Sequence, residues 1–286
     1  MTLASEHAWL QRATCGAGCV HAGGDGPGRR WVVALRTTLR VCAAATLFAG
    51  VWLLAVPLPG RARLQRGYCR LMLRSLGVRM AVSGGPIRNL RGVLVVSGHV
   101  SWLDVFAIGT VLPGSFVARA DLVDWPALGM VVRLMKVIPI DRASLRRLPA
   151  AVAEVTERLR AGHTVVAFPE GTTWCGLGYG RFRPAMFQAA IDAGRPVQPL
   201  RLSYRHKDGR PSTVPAFVGD DSLLTSIKRV ITARRTVCHI QVESLQVPSG
   251  DRRELAARCE TAVRGAAWTP ASVASAGCGE GHALVA

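Results

Sequence analysis

A histidine and an aspartate follow a hydrophobic segment in the stretch VLVVSGHVSWLDVFAIG, residues 93–109. His99 stands five positions before Asp104, a spacing that does not place two side chains on one face of a continuous helix. The two can meet if His99 lies in the loop after a strand and Asp104 in the first turn of the next helix. The carboxylate would then bind one imidazole nitrogen and leave the other as a general base. In the alternative interpretation Asp104 only caps the helix and His99 is an ordinary loop residue.

A second candidate segment, VVAFPEGTTW at residues 165–174, ends a hydrophobic strand with a turn. Gly171 allows a backbone conformation that other residues resist. The amides and hydroxyls of such a turn can hold an anion or a developing oxyanion. The segment therefore offers Glu170, Gly171, Thr172 and Thr173 as binding residues, unless it is an ordinary turn with an exposed Glu170.

The third segment, KVIPIDRAS at residues 136–144, places Asp141 and Arg142 at the end of another strand. Sites of α/β sheets lie beyond the carboxyl ends of the strands. An arginine there can bind a phosphate through two parallel hydrogen bonds. The alternative is a salt bridge on the surface.

Alternating strand and helix patterns from residue 78 onward predict an α/β sheet with helices packed on it. The predicted strands are 78–84, 92–98, 114–119, 136–140, 164–170, 197–204 and 236–245. The predicted helices are 101–112, 125–135, 144–161, 183–193 and 250–265. All three candidate segments therefore stand at strand ends of one domain, residues 76–266, which is followed by a loose C-terminal tail, 267–286.

An uncharged run, VCAAATLFAGVWLLAVPL at residues 41–58, predicts membrane attachment within a helical segment, residues 31–75. As a helix it would measure about 27 Å, close to the thickness of a bilayer's hydrocarbon core. Arginines flank it on both sides, so the charge distribution gives no clear orientation. The run is either a single span or a helix that dips into one leaflet and returns.

The composition indicates an anionic partner. The chain carries 36 Lys+Arg against 18 Asp+Glu, a net charge of +18. This balance suits an anionic lipid surface or a nucleic acid, but no nucleic-acid-binding motif is present, so we expect a membrane surface and no nucleic acid.

The eight cysteines form no disulfide framework, which favours a reducing compartment. Residues 1–30 lack periodicity and predict a disordered tail. Within them Cys15 and Cys19 form a lone CxxxC pair near His7 and His21. Such a pair is little support for a metal site, and we expect none.

In chain order the motifs HVSWLD (99–104), VIPIDR (137–142), FPEGTT (168–173) and RPVQPLRL (195–202) resemble the 1-acylglycerol-3-phosphate acyltransferase family, the HxxxxD glycerolipid acyltransferases. The resemblance covers roughly residues 65–245. It implies an α/β acyltransferase domain with a mixed sheet flanked by helices, preceded by the membrane helix. It also implies acyl transfer from a thioester, acyl-CoA or acyl-carrier protein, to the hydroxyl of a lysophospholipid, without a cofactor or metal.

Under this resemblance His99 is the catalytic base, oriented by Asp104, and the FPEGTT residues shape the acceptor site at the cytoplasmic face of the membrane. Arg142 would bind the phosphate of 1-acyl-sn-glycerol-3-phosphate. Two positions depart from the family pattern: Gly98 replaces the usual Asn, and Thr173 replaces an Arg associated with the acceptor's phosphate. Under the resemblance, Arg181 or Arg183 would supply that charge. The alternatives are another lysolipid acceptor, such as a lyso-amino-acid lipid, or a membrane-associated thioesterase-like hydrolase.

Overall fold

Seven strands form one mixed sheet in the computed structural model, which describes residues 13–21, 30–55, 60–85, 90–121, 135–141 and 144–265. The order across the sheet is β1-β7-β6-β2-β5-β3-β4, and only the β6–β7 pair is antiparallel. The strands are β1 (Val78–Ser83), β2 (Leu94–Ser97), β3 (Ser115–Arg119), β4 (Ile138–Ile140), β5 (Val165–Ala167), β6 (Val197–His206) and β7 (Thr236–Val242). The predicted mixed sheet flanked by helices is confirmed.

Helices cover both faces of this sheet. They are α1 (Arg30–Ala49), α2 (Arg61–Ser75), α3 (Leu103–Gly109), α4 (Leu148–Arg160), α5 (Ala185–Ala193), α6 (Leu223–Thr232) and α7 (Arg252–Arg264), with 3-10 turns at Ala17–Cys19, Gly50–Ala55 and Leu145–Arg147. Helix α6, which begins at the N-cap Ser222, was not predicted. The helix predicted at 125–135 lies almost entirely outside the described residues.

The central strand β2 shows why the sheet has two buried faces. Its side chains alternate sides, as in any strand. Leu94 and Val96 pack in a core with α4, α5 and α7, whereas Val95 packs in the opposite core with α2, α3 and α6. A strand buried on both faces is continuously apolar, as this one is. The strand therefore fixes the position of the residues that follow it, beginning with Gly98.

Part of the predicted disordered tail is ordered. Residues 13–21 pack against the domain, where Cys15 and Cys19 join the same core as Trp174. The amide of His21 donates to Thr213 Oγ1 at 3.0 Å. The ordered structure of this segment was not predicted, because the buried Cys15 and Cys19 follow no helical or strand periodicity in the sequence.

Helix α1 begins at Arg30, about a turn and a half before Arg36 and well before the uncharged run. Arg36 and Arg40 were expected to flank a membrane helix, but they lie within α1 and bind the domain. Arg40 donates to the carbonyls of Ile231 and Ala233 at 2.7 and 2.6 Å, at the end of α6. Near the other end of α1, Tyr68 Oη donates to the carbonyl of Leu47 at 3.1 Å. Helix α1 is therefore fastened to the domain along one side.

The other sides of α1 carry apolar side chains that the domain does not cover, among them Trp31, Leu39 and Phe48. Within the described part of the chain, Arg30–Trp52 is the one helix long and apolar enough to cross a membrane, and its apolar window is not buried. A helix held to the domain on one side and apolar on the others suits a position along the membrane surface.

We expect the triple substitution Trp31→Glu, Leu39→Glu and Phe48→Glu to move the protein from the membrane fraction to the soluble fraction on sedimentation. Each of these side chains contributes about 1.5–3 kcal/mol when it is buried in lipid, and each carboxylate adds repulsion from anionic headgroups. The control is Val247→Glu, at an exposed apolar residue of the loop after β7, which should not change sedimentation. A triple variant that stays membrane-bound in high salt would contradict the assignment.

Candidate active site

His99 and Asp104 meet as the sequence predicted. His99 lies in the loop after β2, and Asp104 lies in the first turn of α3. The distance from His99 Nδ1 to Asp104 Oδ2 is 2.8 Å. The histidine side chain is 18% exposed and the aspartate side chain is fully buried. With the Nδ1 proton directed at the carboxylate, Nε2 is the basic nitrogen of the ring.

Protein donors surround the Asp104 carboxylate. The amides of Val100 and Ser101 donate to Oδ2 at 2.7 and 2.9 Å. The hydroxyl of Tyr204, on β6, donates to Oδ1 at 2.6 Å. Burial and the Asp104 charge raise the pKa of Tyr204 well above its usual range, so its hydroxyl keeps the proton that it donates. A buried carboxylate is tolerated only with such donors, and these also hold Asp104 in place under the histidine.

The FPEGTT loop follows β5, the neighbour of β2, and holds His99 from the other side. The Phe168 ring stacks on the His99 ring, with centroids 3.9 Å apart and planes inclined by 11°. The carboxylate of Glu170 accepts the His99 amide at 2.7 Å. The His99 carbonyl accepts the amide of Trp174 at 2.8 Å. Both the ring and the backbone of His99 are therefore positioned by this loop.

Glu170 is a buried ion-pair partner. Its Oε1 accepts Nη2 of Arg264, from the last turn of α7, and the Gly180 amide at 3.3 Å. The Arg264 side chain is only 4% exposed. Its guanidinium also donates to the Gly180 carbonyl at 2.8 Å. It lies over the Tyr179 ring, 4.3 Å from the ring centroid. Burial raises the pKa of the Glu170 carboxyl, and the Arg264 charge opposes that rise. The predicted substrate-binding Glu170 thus faces protein donors.

The rest of the loop is half-buried. Gly171 adopts a φ of +72°, the left-handed conformation for which glycine was expected, and its amide donates to the Phe168 carbonyl at 3.1 Å. Thr172 is half-buried, and the Thr173 hydroxyl donates to the carbonyl of Phe217. Thr173, at the position of the family's Arg, is therefore engaged with the protein backbone.

The candidate phosphate-binding arginines lie in different places. Arg142 is outside the described residues, but the preceding Asp141 follows β4 at the edge of the sheet. Three strand spacings separate β4 from β2, which is roughly 14 Å. Arg181 and Arg183 are exposed and come just before α5, and the Arg183 amide donates to the Pro169 carbonyl at 2.9 Å. The second pair is therefore attached through the backbone to the FPEGTT loop.

Sequence reasoning missed Tyr204 and Arg264. Both carry obligatory contacts to the buried carboxylates, yet they lie 100 and 94 residues away from those carboxylates in the chain. Gly98 belongs to the same arrangement, because a Cβ added there would lie 3.4 Å from Arg264 Nη1 and 3.7 Å from the Glu170 carboxylate oxygens. A larger side chain at position 98 would compete with the guanidinium for this space.

Comparison with known proteins shows which family carries these motifs. The profile of the acyltransferase family matches residues 79–203. A 1-acyl-sn-glycerol-3-phosphate acyltransferase of Neisseria meningitidis serogroup B is 32% identical over 216 residues, 75% of this chain and 84% of that protein. A lyso-ornithine lipid O-acyltransferase of Pseudomonas aeruginosa is 34% identical over 209 residues, 72% of this chain and 79% of that protein.

A solved structure supports the fold. The 1-acyl-sn-glycerophosphate acyltransferase PlsC of Thermotoga maritima superimposes with a TM-score of 0.61 at 20% identity. The match covers 85% of this chain and 100% of that one. The fold of that protein is therefore shared over most of this chain.

We expect His99→Ala to lower turnover by about 10²–10⁴-fold, the usual contribution of a general base, with the protein still folded and membrane-bound. Asp104→Asn should lower it less if the carboxylate only orients the ring.

Tyr204→Phe, which removes one hydrogen bond to a buried charge, should reduce kcat by about tenfold and leave KM nearly unchanged. The control is Tyr68→Phe, which loses a hydroxyl bonded to the Leu47 carbonyl. Equal effects of the two tyrosine substitutions would contradict the positioning role of Tyr204.

We expect Glu170→Gln to lower the free energy of unfolding by about 3–5 kcal/mol, because it leaves the buried Arg264 guanidinium without a counter-ion. The double variant Glu170→Gln, Arg264→Met should regain part of this loss, since it removes the uncompensated charge. Glu157→Gln is the control, because it breaks an exposed ion pair with Arg160 worth about 0–1 kcal/mol. Denaturant unfolding in detergent measures all three, and a double variant no more stable than Glu170→Gln alone would contradict the expected recovery.

Proposed function

This chain belongs to the acyltransferase family that includes 1-acyl-sn-glycerol-3-phosphate and lyso-ornithine lipid acyltransferases, and from that premise we propose that it acylates the free hydroxyl of a lysolipid, with 1-acyl-sn-glycerol-3-phosphate as the first choice. The observation that carries the proposal is the His99–Asp104 pair, with Nδ1 and Oδ2 at 2.8 Å and the histidine partly exposed. The same pair could activate water, but an exposed apolar helix beside the domain favours a lipid acceptor over hydrolysis.

In the proposed reaction His99 Nε2 takes the proton of the acceptor hydroxyl while the oxygen attacks the carbonyl carbon of an acyl thioester. The tetrahedral intermediate collapses when the carbon–sulfur bond breaks. The leaving thiolate then receives the proton from the imidazolium, which returns His99 to its neutral form. Asp104 stabilises the transient imidazolium and does not itself need to be protonated. The chemistry requires no cofactor, and the donor is acyl-CoA or acyl-carrier protein.

The acceptor's headgroup distinguishes two candidates. A phosphate monoester needs a positive charge, and Thr173 does not supply one because its side chain is neutral. Its hydroxyl is also already bonded to the Phe217 carbonyl. Arg181 and Arg183 are exposed next to the FPEGTT loop and can meet a phosphate there; Arg142 remains the candidate that the family pattern suggests. The second candidate is a lyso-amino-acid lipid, favoured by Thr173 and by the similarity to the Pseudomonas aeruginosa protein.

The attachment of α1 to the domain supports a proposal for how the enzyme lies at the membrane. Because the domain holds α1 along one side, we propose that this helix lies in the cytoplasmic leaflet and does not cross the bilayer. The exposed apolar residues of α1 would enter the lipid, and the positive surface would bind anionic headgroups. A lysolipid could then reach His99 from the same leaflet.

A panel of acceptors with one labelled acyl donor tests the proposal. We expect 1-acyl-sn-glycerol-3-phosphate to be acylated faster than lyso-ornithine lipid or a neutral monoacylglycerol. Arg142→Ala, and the pair Arg181→Ala and Arg183→Ala, should raise the acceptor's KM by about 10- to 100-fold, because a charge-assisted contact contributes about 1.5–3 kcal/mol.

The KM of the acyl donor should stay nearly constant in these variants. The control is Arg253→Ala on the exposed side of α7, which should change neither KM. A clear preference for the ornithine lipid would defeat the first choice and establish the second. Release of free fatty acid without any acylated lipid would disprove both.

A further inference from the structure

Three buried cysteines come together next to the FPEGTT loop. Cys15 and Cys19 belong to the N-terminal segment 13–21, and Cys175 follows Trp174. Their Sγ atoms all lie within 4.8 Å of one another. Sequence analysis considered only the CxxxC pair, and it did not anticipate that a cysteine 156 positions after Cys19 would complete the group.

We propose that Cys15, Cys19 and Cys175 bind one Zn²⁺ ion, which fastens the N-terminal segment to the domain. Zinc binds thiolates at about 2.3 Å in a tetrahedral arrangement, which places neighbouring sulfurs about 3.8 Å apart. The three Sγ atoms, all within 4.8 Å of one another, are therefore close enough to share one ion. Three protein sulfurs leave one position of the tetrahedron for a further donor. The site does not depend on which lipid the enzyme acylates.

The backbone around Cys175 is arranged to stabilise a thiolate. The residues Cys-Gly-Leu-Gly form a tight turn in which Gly176 has a φ of +88°. This turn directs the Gly178 amide at Cys175 Sγ, 3.4 Å away. A Cβ on Gly178 would lie 3.5 Å from Cys15 Sγ, so the two chain segments approach closely.

A disulfide is the competing chemistry of neighbouring cysteines. Cys19 is disulfide-bonded in the structure. Zinc binding requires Cys19 as a thiolate, which a dithiol reductant supplies by converting the disulfide to two thiols while itself becoming oxidised. The cysteine pattern of the whole chain predicts a reducing compartment, where this conversion is favoured. We therefore assign the reduced, metal-binding form to the cell.

The ion would stabilise the surroundings of the catalytic pair. The N-terminal segment lies against two loops, one with Cys175 and one with Thr213, which accepts the His21 amide. The second loop reaches the active site, because the Phe217 amide donates to the Val100 carbonyl at 3.0 Å. Fastening the segment across both loops would restrict their motion beside His99. The ion takes no part in the reaction.

Metal analysis of the full-length protein, purified in detergent with a reductant and without chelator, tests the assignment. We expect about one Zn²⁺ per chain. Substituting serine for Cys15, Cys19 or Cys175 should reduce the zinc content to background. The matched control is Cys42→Ser, because Cys42 is a free cysteine exposed on α1, and this variant should keep its zinc.

Cobalt substitution keeps the proposal testable if a serine variant fails to fold. Wild-type protein exchanged with Co²⁺ should show the visible bands of a tetrahedral ion and a sulfur-to-cobalt charge-transfer band, which Cys42→Ser retains. Reduced wild-type protein that contains no zinc and gives no such spectrum with Co²⁺ would overturn the proposal. So would zinc that persists in all three serine variants, or a Cys19 disulfide found intact by peptide mapping of protein from freshly lysed cells under thiol-blocking conditions.

Discussion

The buried carboxylate of Asp104 is the constraint on which the active site depends. A charge without solvent must be surrounded by donors, and those available here are two amides of the loop after β2, the hydroxyl of Tyr204 and the ring of His99. Meeting this requirement fixes the loop, the first turn of α3 and strand β6 relative to one another. The orientation of the histidine ring is a consequence of that arrangement, because the ring is one of the donors.

Sequence reasoning succeeded where the determining contacts are local. His99 and Asp104 are five positions apart, and a strand, a turn and a helix are enough to bring them together. It failed where a contact depends on the packing of distant elements. Glu170 needs a cation, but nothing in the sequence selects Arg264 from 36 basic residues. The burial of Cys15 and Cys19 was missed for the same reason, since their partner belongs to a distant loop.

The arginines of α1 illustrate how a charge pattern can have two meanings. Arg36 and Arg40 were interpreted as the basic border of a membrane helix, yet Arg36 donates to the Thr232 carbonyl at 2.7 Å and Arg40 donates to the carbonyls of the two adjacent residues, Ile231 and Ala233. The C-terminal end of a helix carries partial negative charge and unsatisfied carbonyls. Helix α6, which the sequence did not reveal, supplies that end. Together α1 and α6 connect the exposed apolar side of α1 to the core of the domain.

The ion pair between Glu170 and Arg264 also sets an order of events during protein synthesis. The two residues are 94 positions apart, so at a usual rate of elongation the ribosome needs about 5–19 s to pass from one codon to the other. Until α7 emerges, the nascent domain contains a glutamate beside His99 without its counter-ion. The candidate site is therefore complete only when α7 docks. A premature stop codon at any position from 105 to 264 would leave His99 and Asp104 in the product but remove the arginine that secures the loop behind them.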